Sequence, residues 1–193
     1  NDLACAARAF VIPVLDYSPA SEYNILTLLD DLEQIHGEVI VIFNGSEIGE
    51  ELKGHPRITR YAIMKQNVGV ARAWNIGLQM AEAELVHIVN ADAHIQPTAV
   101  EALEQGIRSL ARAVCVGPQG AFVNAGECKD YHYFDKGSFD APVQVDAVSG
   151  FFFCVNRLLL AEHGLAFDSR YTPCYFEEWD LGLQVKLAGL ACW

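Results

Sequence analysis

The chain has 193 residues, of which 52% are hydrophobic and 20% are charged, a composition typical of an α/β domain with one substantial core. Its formal net charge of −12 excludes sequence-independent binding of nucleic acid, which requires a basic surface. No run approaches the roughly 18 uninterrupted apolar residues of a membrane span, and no secretory signal is visible at the N-terminus.

Strand and helix signals alternate in the first half of the chain. Apolar runs predict strands and helical periodicity predicts helices, in the order strand 9–15, helix 21–35, strand 38–43, strand 57–64, helix 70–83, strand 85–89 and helix 97–110. Ser21 is the predicted N-cap of the first helix, and Pro97 stands at the favoured start of the third. Strands separated by helices imply parallel pairing and therefore a doubly wound, mostly parallel sheet with helices on both faces.

The second half has a different character. After a strand at 113–116, residues 117–144 are rich in Gly, Asp, Tyr and Phe and are predicted to form loops with short hairpin strands. A strand around 145–148, an aromatic run at 151–153, a short helix near 157–163 and a final helix at 178–188 follow, with Gly189 as the helix stop. We therefore expect one domain with a nucleotide-binding-like first half and a loop-rich second half.

Small and polar residues follow the first four predicted strands. In open α/β sheets a ligand binds at the carboxyl ends of the strands, so these loops form the expected binding site. Their polar residues include Asp16, Asn44, Asn67, Asn90 and Asp92. Because all four loops lie at one edge, their agreement is a stronger indication than any single loop.

Asn90-x-Asp92 directly follows a buried strand, which is a suitable position for a divalent cation. Mg²⁺ or Mn²⁺ needs only one or two carboxylates together with phosphate oxygens. An acidic chain can bind a diphosphate only through a cation, a helix N-terminus or a few placed arginines, so a cation at Asp92 would meet that need. The alternative is that Asp92 caps the following turn. His94 could be a further ligand, but we interpret it as an ordinary loop histidine.

The segment Asn67-x-Gly69 leads into a helix. Gly69 permits close approach of the backbone, and the helix N-terminus favours an anion. Arg72 could reach a phosphate from the first turn, or it could simply lie on a solvated helix face. No G-x-G-x-x-G follows the first strand, which argues against a nicotinamide-dependent dehydrogenase.

Glu177, Glu178 and Asp180 lie among aromatic residues near the C-terminus. A carboxyl beside apolar rings has a raised pKa, which suits a general base that works near neutrality. Acidic residues also favour a helix N-terminus through the macrodipole, and both interpretations can hold together. The six cysteines show no C-x-x-C pair, so we predict that they are reduced and structural, consistent with a cytoplasmic protein.

The order and spacing of several segments resemble the family 2 glycosyltransferases, inverting enzymes of the GT-A fold, over nearly the whole chain. The segments are Glu38-Val-Ile-Val-Ile-Phe-Asn-Gly-Ser46, Asn67-x-Gly69 with Ala73-x-Asn75-x-Gly77, Val89-Asn-Ala-Asp92, Ser149-Gly150, and Phe167-Asp168 with Phe176-Glu-Glu-x-Asp-Leu181. The rhamnosyltransferase-like members are the most similar. The resemblance implies one GT-A domain whose residues 1–95 bind the nucleotide sugar and whose residues 96–193 bind the acceptor.

The resemblance also implies roles for individual residues. Asp92 would hold the metal, Mn²⁺ or Mg²⁺, and Glu178 would be the base that activates the acceptor. Glu177 and Asp180 would orient the base or the acceptor. The nucleotide sugar would be bound by Leu15, Asp16, Asn44, Asn67, Gly69, Arg72, Asn90 and Gly150.

Three positions depart from the family pattern. Phe43 stands where the family usually has an aspartate that reads the nucleotide base, Asn90 replaces the first acidic residue of D-x-D, and Glu178 occupies a position that is more often aspartate. These departures keep open a non-catalytic domain that binds nucleotide sugars or glycans. A nucleotidyltransferase is a third candidate, but the loop at Asp16 is not the Gly-rich basic loop that such an enzyme would need.

The expected reaction is inverting transfer of a hexosyl or deoxyhexosyl group from a nucleotide-sugar donor. The expected acceptor is a hydroxyl on a polysaccharide, a lipid-linked glycan or a protein-linked glycan. We expect a cytoplasmic protein of polysaccharide biosynthesis, with peripheral membrane association through segments outside this sequence.

Overall fold

A large mixed sheet organises the structure, a computed structural model that describes residues 8–124, 126–134 and 141–193. The strands within these residues are β1 Arg8–Val14, β2 Glu38–Phe43, β3 Arg60–Ile63, β4 Leu85–Val89, β5 Ala113–Val116, β6 Gly120–Asn124, β7 Lys129–Phe134, β8 Ala147–Val148, β9 Phe152–Asn156 and β10 Ala191–Cys192. The helices are α1 Ile25–Asp31, α2 Ser46–Leu52, α3 Val70–Met80, α4 Pro97–Ser109, α5 Arg157–Glu162 and α6 Glu177–Leu187.

Among the described residues the large sheet has the strand order β10-β5-β9-β4-β1-β2-β3. Every neighbouring pair is parallel except those of β9, which runs antiparallel to both β4 and β5. A small antiparallel sheet of β7, β6 and β8 lies in the second half. The prediction of a mostly parallel sheet flanked by helices is therefore confirmed.

The sheet separates two hydrophobic cores. Successive side chains of a strand point to opposite faces, so in β1 Val11 packs with α3, α5 and α6, whereas Phe10 and Ile12 pack with α1, α2 and α4. β2 and β4 are buried along almost their whole length. Strands covered on both faces appear in the sequence as continuous apolar runs, which is why their bounds are predicted correctly.

The first helix starts later than the sequence predicts. Ser21 is not its N-cap; α1 begins at Ile25 and is capped by Asn24. The Asn24 side chain accepts hydrogen bonds from the amides of Leu26 and Thr27, and the Thr27 hydroxyl accepts one from the Asn24 amide at 2.9 Å. This reciprocal box satisfies amides that would otherwise lack a partner.

Three elements were missing from the prediction: α2, β9 as a central strand, and β10. β3 is also shorter than predicted, because Arg57 lies outside the strand and its guanidinium donates hydrogen bonds to the carbonyls of Leu32, Ile35 and Gly37. Phe152 and Phe153 of the aromatic run belong to β9, which pairs with both β4 and β5. No local sequence pattern indicates this pairing.

A buried charged cluster ties α4 to the sheet. Glu104 is buried and contacts Nε of Arg8 at 2.5 Å and Nε2 of His87 at 3.2 Å. Burial raises the pKa of Glu104, but hydrogen bonds from His87 and Arg8 outweigh that effect and hold the pKa at about 2. Burial lowers the pKa of His87. The cluster fixes α4 beneath the strand that carries Asn90 at its end.

The cysteines agree with the expectation of reduced thiols. Cys115, Cys154, Cys174 and Cys192 are free thiols, and burial raises the pKa of the Cys154 thiol. Cys5 lies outside the described residues. A search of the described helices finds none that is both long enough and apolar enough to cross a bilayer.

Asn24→Ala should lower the free energy of unfolding by about 1 kcal/mol, because it removes the acceptor that caps α1. Ser21→Ala is the matched control and should change it by less than about 0.5 kcal/mol, since Ser21 is exposed. Urea titration followed by circular dichroism measures both variants. A larger loss for Ser21→Ala than for Asn24→Ala would contradict the observed cap.

Candidate active site

The loops after β1, β2, β3 and β4 meet around a cavity of about 630 Å³, called here the first cavity. It brings together six residues predicted from the sequence: Leu15, Asp16, Asn44, Asn67, Asn90 and Asp92. Tyr17 and Tyr23 also line it, and sequence reasoning did not single them out. Because the strands are parallel, their carboxyl ends deliver these loops to one edge, the usual ligand position in such sheets.

The first cavity is acidic. Among the described residues that line it, Asp16 and Asp92 are carboxylates, and none is Lys, Arg or His. No group of three potential metal ligands occurs in the described part of the chain. Mg²⁺ and similar cations are commonly bound by one or two carboxylates, with phosphate oxygens and water completing the shell. The donor set around Asp92 therefore fits a cation that arrives with a diphosphate.

Two asparagines shape the loop between β3 and α3. The buried Asn44 side chain accepts a hydrogen bond from the Val68 amide at 2.8 Å and donates one to the Gly69 carbonyl at 3.5 Å. The Asn67 side chain accepts a hydrogen bond from the Gly69 amide at 2.9 Å. These bonds hold the loop against the end of β2, so both asparagines support the cavity wall as well as line it.

The structure does not bring Gly69 and Arg72 into the cavity lining. Gly69 has φ +85°, and a Cβ there would lie 2.6 Å from Oγ1 of Thr172. The neighbouring Val70 amide donates to the Pro173 carbonyl at 2.9 Å, so this end of α3 is partly occupied by the chain itself. Arg72 is exposed and lies roughly 200° around the helix from Val70.

A second cavity of about 500 Å³ adjoins the first, and Val70, Asn90 and Cys174 line both. Gly150, Glu177 and Glu178 line the second cavity. The Asn90 amide donates a hydrogen bond to the Phe151 carbonyl at 2.8 Å. This bond joins the loop after β4, which carries Asp92, to the loop before β9, which carries Gly150.

Glu178 has the most perturbed carboxyl of this region. Burial raises its pKa from 4.5 to about 7, while hydrogen bonds from its own amide and that of Gly150 oppose the shift. A Cβ at Gly150 would lie 1.9 Å from Oε1 of Glu178. Only glycine therefore lets the carboxyl approach this backbone, which explains why Gly150 belongs to the site.

Glu177 is only 3% exposed, and burial raises its pKa. Its Oε2 has no hydrogen-bond partner among the described residues, and the same holds for Nε1 of Trp74. Both residues line the second cavity. Sequence reasoning missed Trp74, although its position one helical turn after Val70 could have indicated it.

Asp180 does not face Glu178. It lines a third cavity of about 260 Å³, and its carboxylate accepts a hydrogen bond from Nε2 of Gln184 at 2.6 Å. Gln184 in turn donates to the Ala166 carbonyl at 3.0 Å. Asp180 thus orients Gln184, which joins α6 to the segment that precedes Phe167. Asp180 points away from Glu178 because side chains two residues apart on a helix are separated by roughly 200°.

Two residues discussed from the sequence are not among those that line the first cavity. The Phe43 side chain is fully buried in the core with α1, α2 and α4, so it cannot contact a nucleotide base in this arrangement. His94 contacts Oδ2 of Asp31 at 2.9 Å, which agrees with its interpretation as an ordinary loop histidine.

Solved structures share this arrangement of sheet and helices. A crystal structure of GalNAc-T7 with UDP, GalNAc and Mn²⁺ matches with a TM-score of 0.76 over 99% of this chain, at 13% identity. Crystal structures of S. aureus TarS and of its residues 1–349 with UDP match with TM-scores of 0.64 and 0.63 over 96% of the chain, each at 16% identity. This chain spans 42%, 35% and 57% of those chains. At these identities the likeness shows the fold, which is that of the GT-A glycosyltransferases.

The family follows from the sequence itself. Residues 10–163 match the family described as Glycosyl transferase family 2, and the chain belongs to this family. No curated protein matches the sequence. The family match covers β1 to α5, and therefore includes the lining of the first cavity up to Asp92 as well as Gly150.

Glu178→Gln should stabilise the protein increasingly as the pH rises from about 5 to about 8. The folded-state pKa is raised from 4.5 to about 7, so the stability linked to this proton is present below the unfolded value and is lost as the pH passes about 7. The linked free energy is at most about 3 kcal/mol. Urea titrations at both pH values measure the difference between variant and wild type.

Glu101→Gln is the control for that measurement, because Glu101 is exposed on α4. The difference in free energy of unfolding between Glu101→Gln and wild type should not depend on pH between about 5 and 8. A Glu178→Gln difference that is equally independent of pH would contradict the raised pKa of Glu178.

Proposed function

We propose that this chain transfers a sugar from a nucleoside-diphosphate donor to a hydroxyl acceptor, with inversion at the anomeric carbon. The observation that carries the proposal is the position of Glu178, which lies beside Gly150 in a cavity that adjoins the acidic cavity at the strand ends. Burial raises its pKa to about 7, which supports the role of a base. A base with a pKa near the working pH takes up a proton efficiently and can release it again.

The donor is assigned to the first cavity. The GalNAc-T7 and TarS 1–349 structures both contain UDP, which supports a nucleoside diphosphate at the corresponding edge of this sheet. Leu15, Asp16, Asn44, Asn67 and Asn90 line this cavity and are proposed to border the donor. Gly69 belongs to the loop behind the cavity wall and binds Asn44 and Asn67. Arg72 lies on the exposed face of α3, so its side chain would have to change direction to contact a phosphate.

Asp92 is proposed to hold a divalent cation, Mn²⁺ or Mg²⁺, with Asp16 as the second carboxylate of the cavity. Such a cation would supply positive charge to the leaving diphosphate. The GalNAc-T7 structure contains Mn²⁺, which supports this choice. The chain's own contribution is the rigid end of β4, which keeps the Asp92 backbone in place.

In the proposed reaction Glu178 removes the proton from an acceptor hydroxyl as that oxygen bonds to the anomeric carbon. The bond from this carbon to the diphosphate oxygen breaks on the opposite side, and the nucleoside diphosphate leaves with the electron pair. Gly150 keeps the Glu178 carboxyl close to the backbone. Glu177 orients the acceptor, and Asp180 acts further away by holding Gln184.

The proposal extends to the donor sugar, the acceptor, the two halves of the chain and the location of the protein. We propose a hexosyl or deoxyhexosyl donor, and a polysaccharide, lipid-linked glycan or protein-linked glycan as acceptor. Residues 1–95 would contribute mainly to donor binding and residues 96–193 mainly to acceptor binding. A cytoplasmic location at the inner face of a membrane would suit an enzyme of polysaccharide biosynthesis.

Glu178→Gln should lower kcat by about 10²–10⁴-fold, because the amide cannot accept the proton. Donor binding should survive, since Glu178 lies outside the first cavity. The wild-type rate should rise with pH up to about 7, where the base becomes ionised, and the residual rate of the variant should lose this dependence. Glu101→Gln is the control, and near-normal turnover by Glu178→Gln would remove it from the role of base.

Asp92→Ala should weaken metal-dependent donor binding at least about tenfold, because the cavity loses one of two carboxylates. Calorimetric titration of UDP with and without Mn²⁺ measures the effect. Asp30→Ala is a matched control, because Asp30 is exposed on α1 and outside the cavity. An unchanged Mn²⁺ dependence of UDP binding in Asp92→Ala would contradict the assignment.

A non-catalytic domain that binds nucleotide sugars or glycans is the competing function. The raised pKa of the partly buried Glu178 carboxyl, about 7, favours catalysis, since strongly perturbed pKa values are found mainly at catalytic sites. Slow hydrolysis of the donor by water in the presence of Mn²⁺ would support the enzyme. Donor binding without hydrolysis or transfer would support the binding domain.

A further inference from the structure

The second cavity is unusually aromatic. Its lining includes Trp74, Phe151, Tyr175, Phe176 and Trp179. Tyr175 and Phe176 adopt left-handed backbone conformations, with φ of 87° and 72°, which residues with a Cβ adopt only at a cost. They are also 75% and 44% exposed. A strained backbone that presents exposed rings at a cavity indicates a surface for contact with a ligand.

Two polar atoms of this cavity's residues have no partner. Nε1 of Trp74 is a donor, and Oε2 of Glu177 is an acceptor while the carboxyl is ionised; neither has a hydrogen bond within the described chain. Both side chains are almost fully buried. Native proteins retain few such groups because each loses its hydration without replacement. Hydroxyl groups of a ligand can both accept from the indole and donate to the carboxyl.

The electrostatics of the cavity exclude an anionic ligand group beside Glu178. Glu177 and Glu178 line the cavity, and no Lys, Arg or His occurs among the described residues around it. Phosphate or carboxylate placed here would face like charge in a medium of low dielectric constant. The first cavity differs in this respect, because a cation can accompany the donor there.

Aromatic rings, unpaired hydroxyl-binding groups and missing basic residues together describe a site for a neutral saccharide. The apolar C–H face of a pyranose ring packs on aromatic surfaces, while its hydroxyls bind polar groups at the edges of such pockets. We propose that the second cavity binds an uncharged sugar ring of the acceptor, with Trp74 Nε1 donating to one hydroxyl and Glu177 accepting from another. This inference rests on the proposed transferase function and narrows its acceptor to a neutral glycan.

The proposal excludes acceptors that carry their charge at the reacting end. A lipid phosphate as the direct acceptor, and a uronic acid as the accepting sugar, would both place an anion among Glu177, Glu178 and the rings. A lipid-linked or protein-linked glycan that ends in a neutral sugar remains compatible, because its charged or peptide portion lies outside the cavity.

A panel of acceptors tests the proposal directly. Neutral methyl glycosides and oligosaccharides, methyl uronosides and a short polyprenyl phosphate are compared by saturation-transfer NMR without donor, and by transfer with donor and Mn²⁺. Neutral saccharides should show saturation transfer to their C–H groups and at least about tenfold higher kcat/KM than the charged compounds. Preference for the uronosides or for polyprenyl phosphate would overturn the proposal, as would no binding of any neutral saccharide.

Trp74→Phe tests the indole donor, because phenylalanine keeps a ring and removes the N–H. It should raise the KM for a neutral acceptor about tenfold. Trp193→Phe is the matched control, since Nε1 of Trp193 donates to the Ala111 carbonyl far from this cavity. An unchanged acceptor KM in Trp74→Phe would overturn the role of Trp74.

Glu177→Gln gives a second test, in case Trp74→Phe folds poorly. Its amide oxygen can still accept a hydrogen bond, so acceptor binding should fall less than in Glu177→Ala. Hydrolysis of the donor by the wild-type protein distinguishes failure of the acceptor assignment from failure of the transferase function. Hydrolysis without selective use of neutral acceptors would reject the acceptor assignment alone, whereas neutral-saccharide binding without hydrolysis or transfer would reject the transferase.

Discussion

The site depends on the antiparallel pairing of β9 with β4. This pairing sets Val89 opposite Phe152 and Leu85 opposite Asn156, so the end of β4 lies beside the start of β9. The amide of Asn90 therefore reaches the Phe151 carbonyl at 2.8 Å. Asp92 and Gly150 leave this junction in different directions, one toward the first cavity and one toward the second. A shift of register by one residue would turn every side chain of β9 to the other face and separate the two halves of the site.

In the proposed reaction, negative charge determines which kind of ligand each of the two cavities can bind. The chain carries a formal charge of −12, and the described linings of both cavities contain carboxylates and no basic side chain. A diphosphate can enter such a cavity only with a cation, whereas a neutral sugar can enter the other without one. In the proposed reaction the same acidity would make donor binding depend on metal and would restrict the acceptor to uncharged rings.

Tight packing around Glu178 accounts for the raised pKa of its carboxyl. The carboxyl approaches the backbone at Gly150, and a Cβ there would also lie 3.0 Å from the Trp74 ring. Burial then raises the pKa of Glu178 to about 7, because removal of water disfavours the charged form. The folded protein loses stability when Glu178 ionises, and the same raised pKa would let Glu178 act as a base near neutrality in the proposed reaction.

The sequence by itself determined the strands that are covered on both faces and the loops at their carboxyl ends. β2 and β4 appear as continuous apolar runs, and Asn90-x-Asp92 follows β4 directly, because burial and chain order are local properties. Only the tertiary structure decided which distant groups meet. Trp74 joins Glu177 in one cavity and Arg72 does not, because the rotation of α3 and the position of α3 and α6 on the same hydrophobic core set their directions. The central place of β9 has the same origin, since strand pairing between segments far apart in the chain leaves no periodicity in either one.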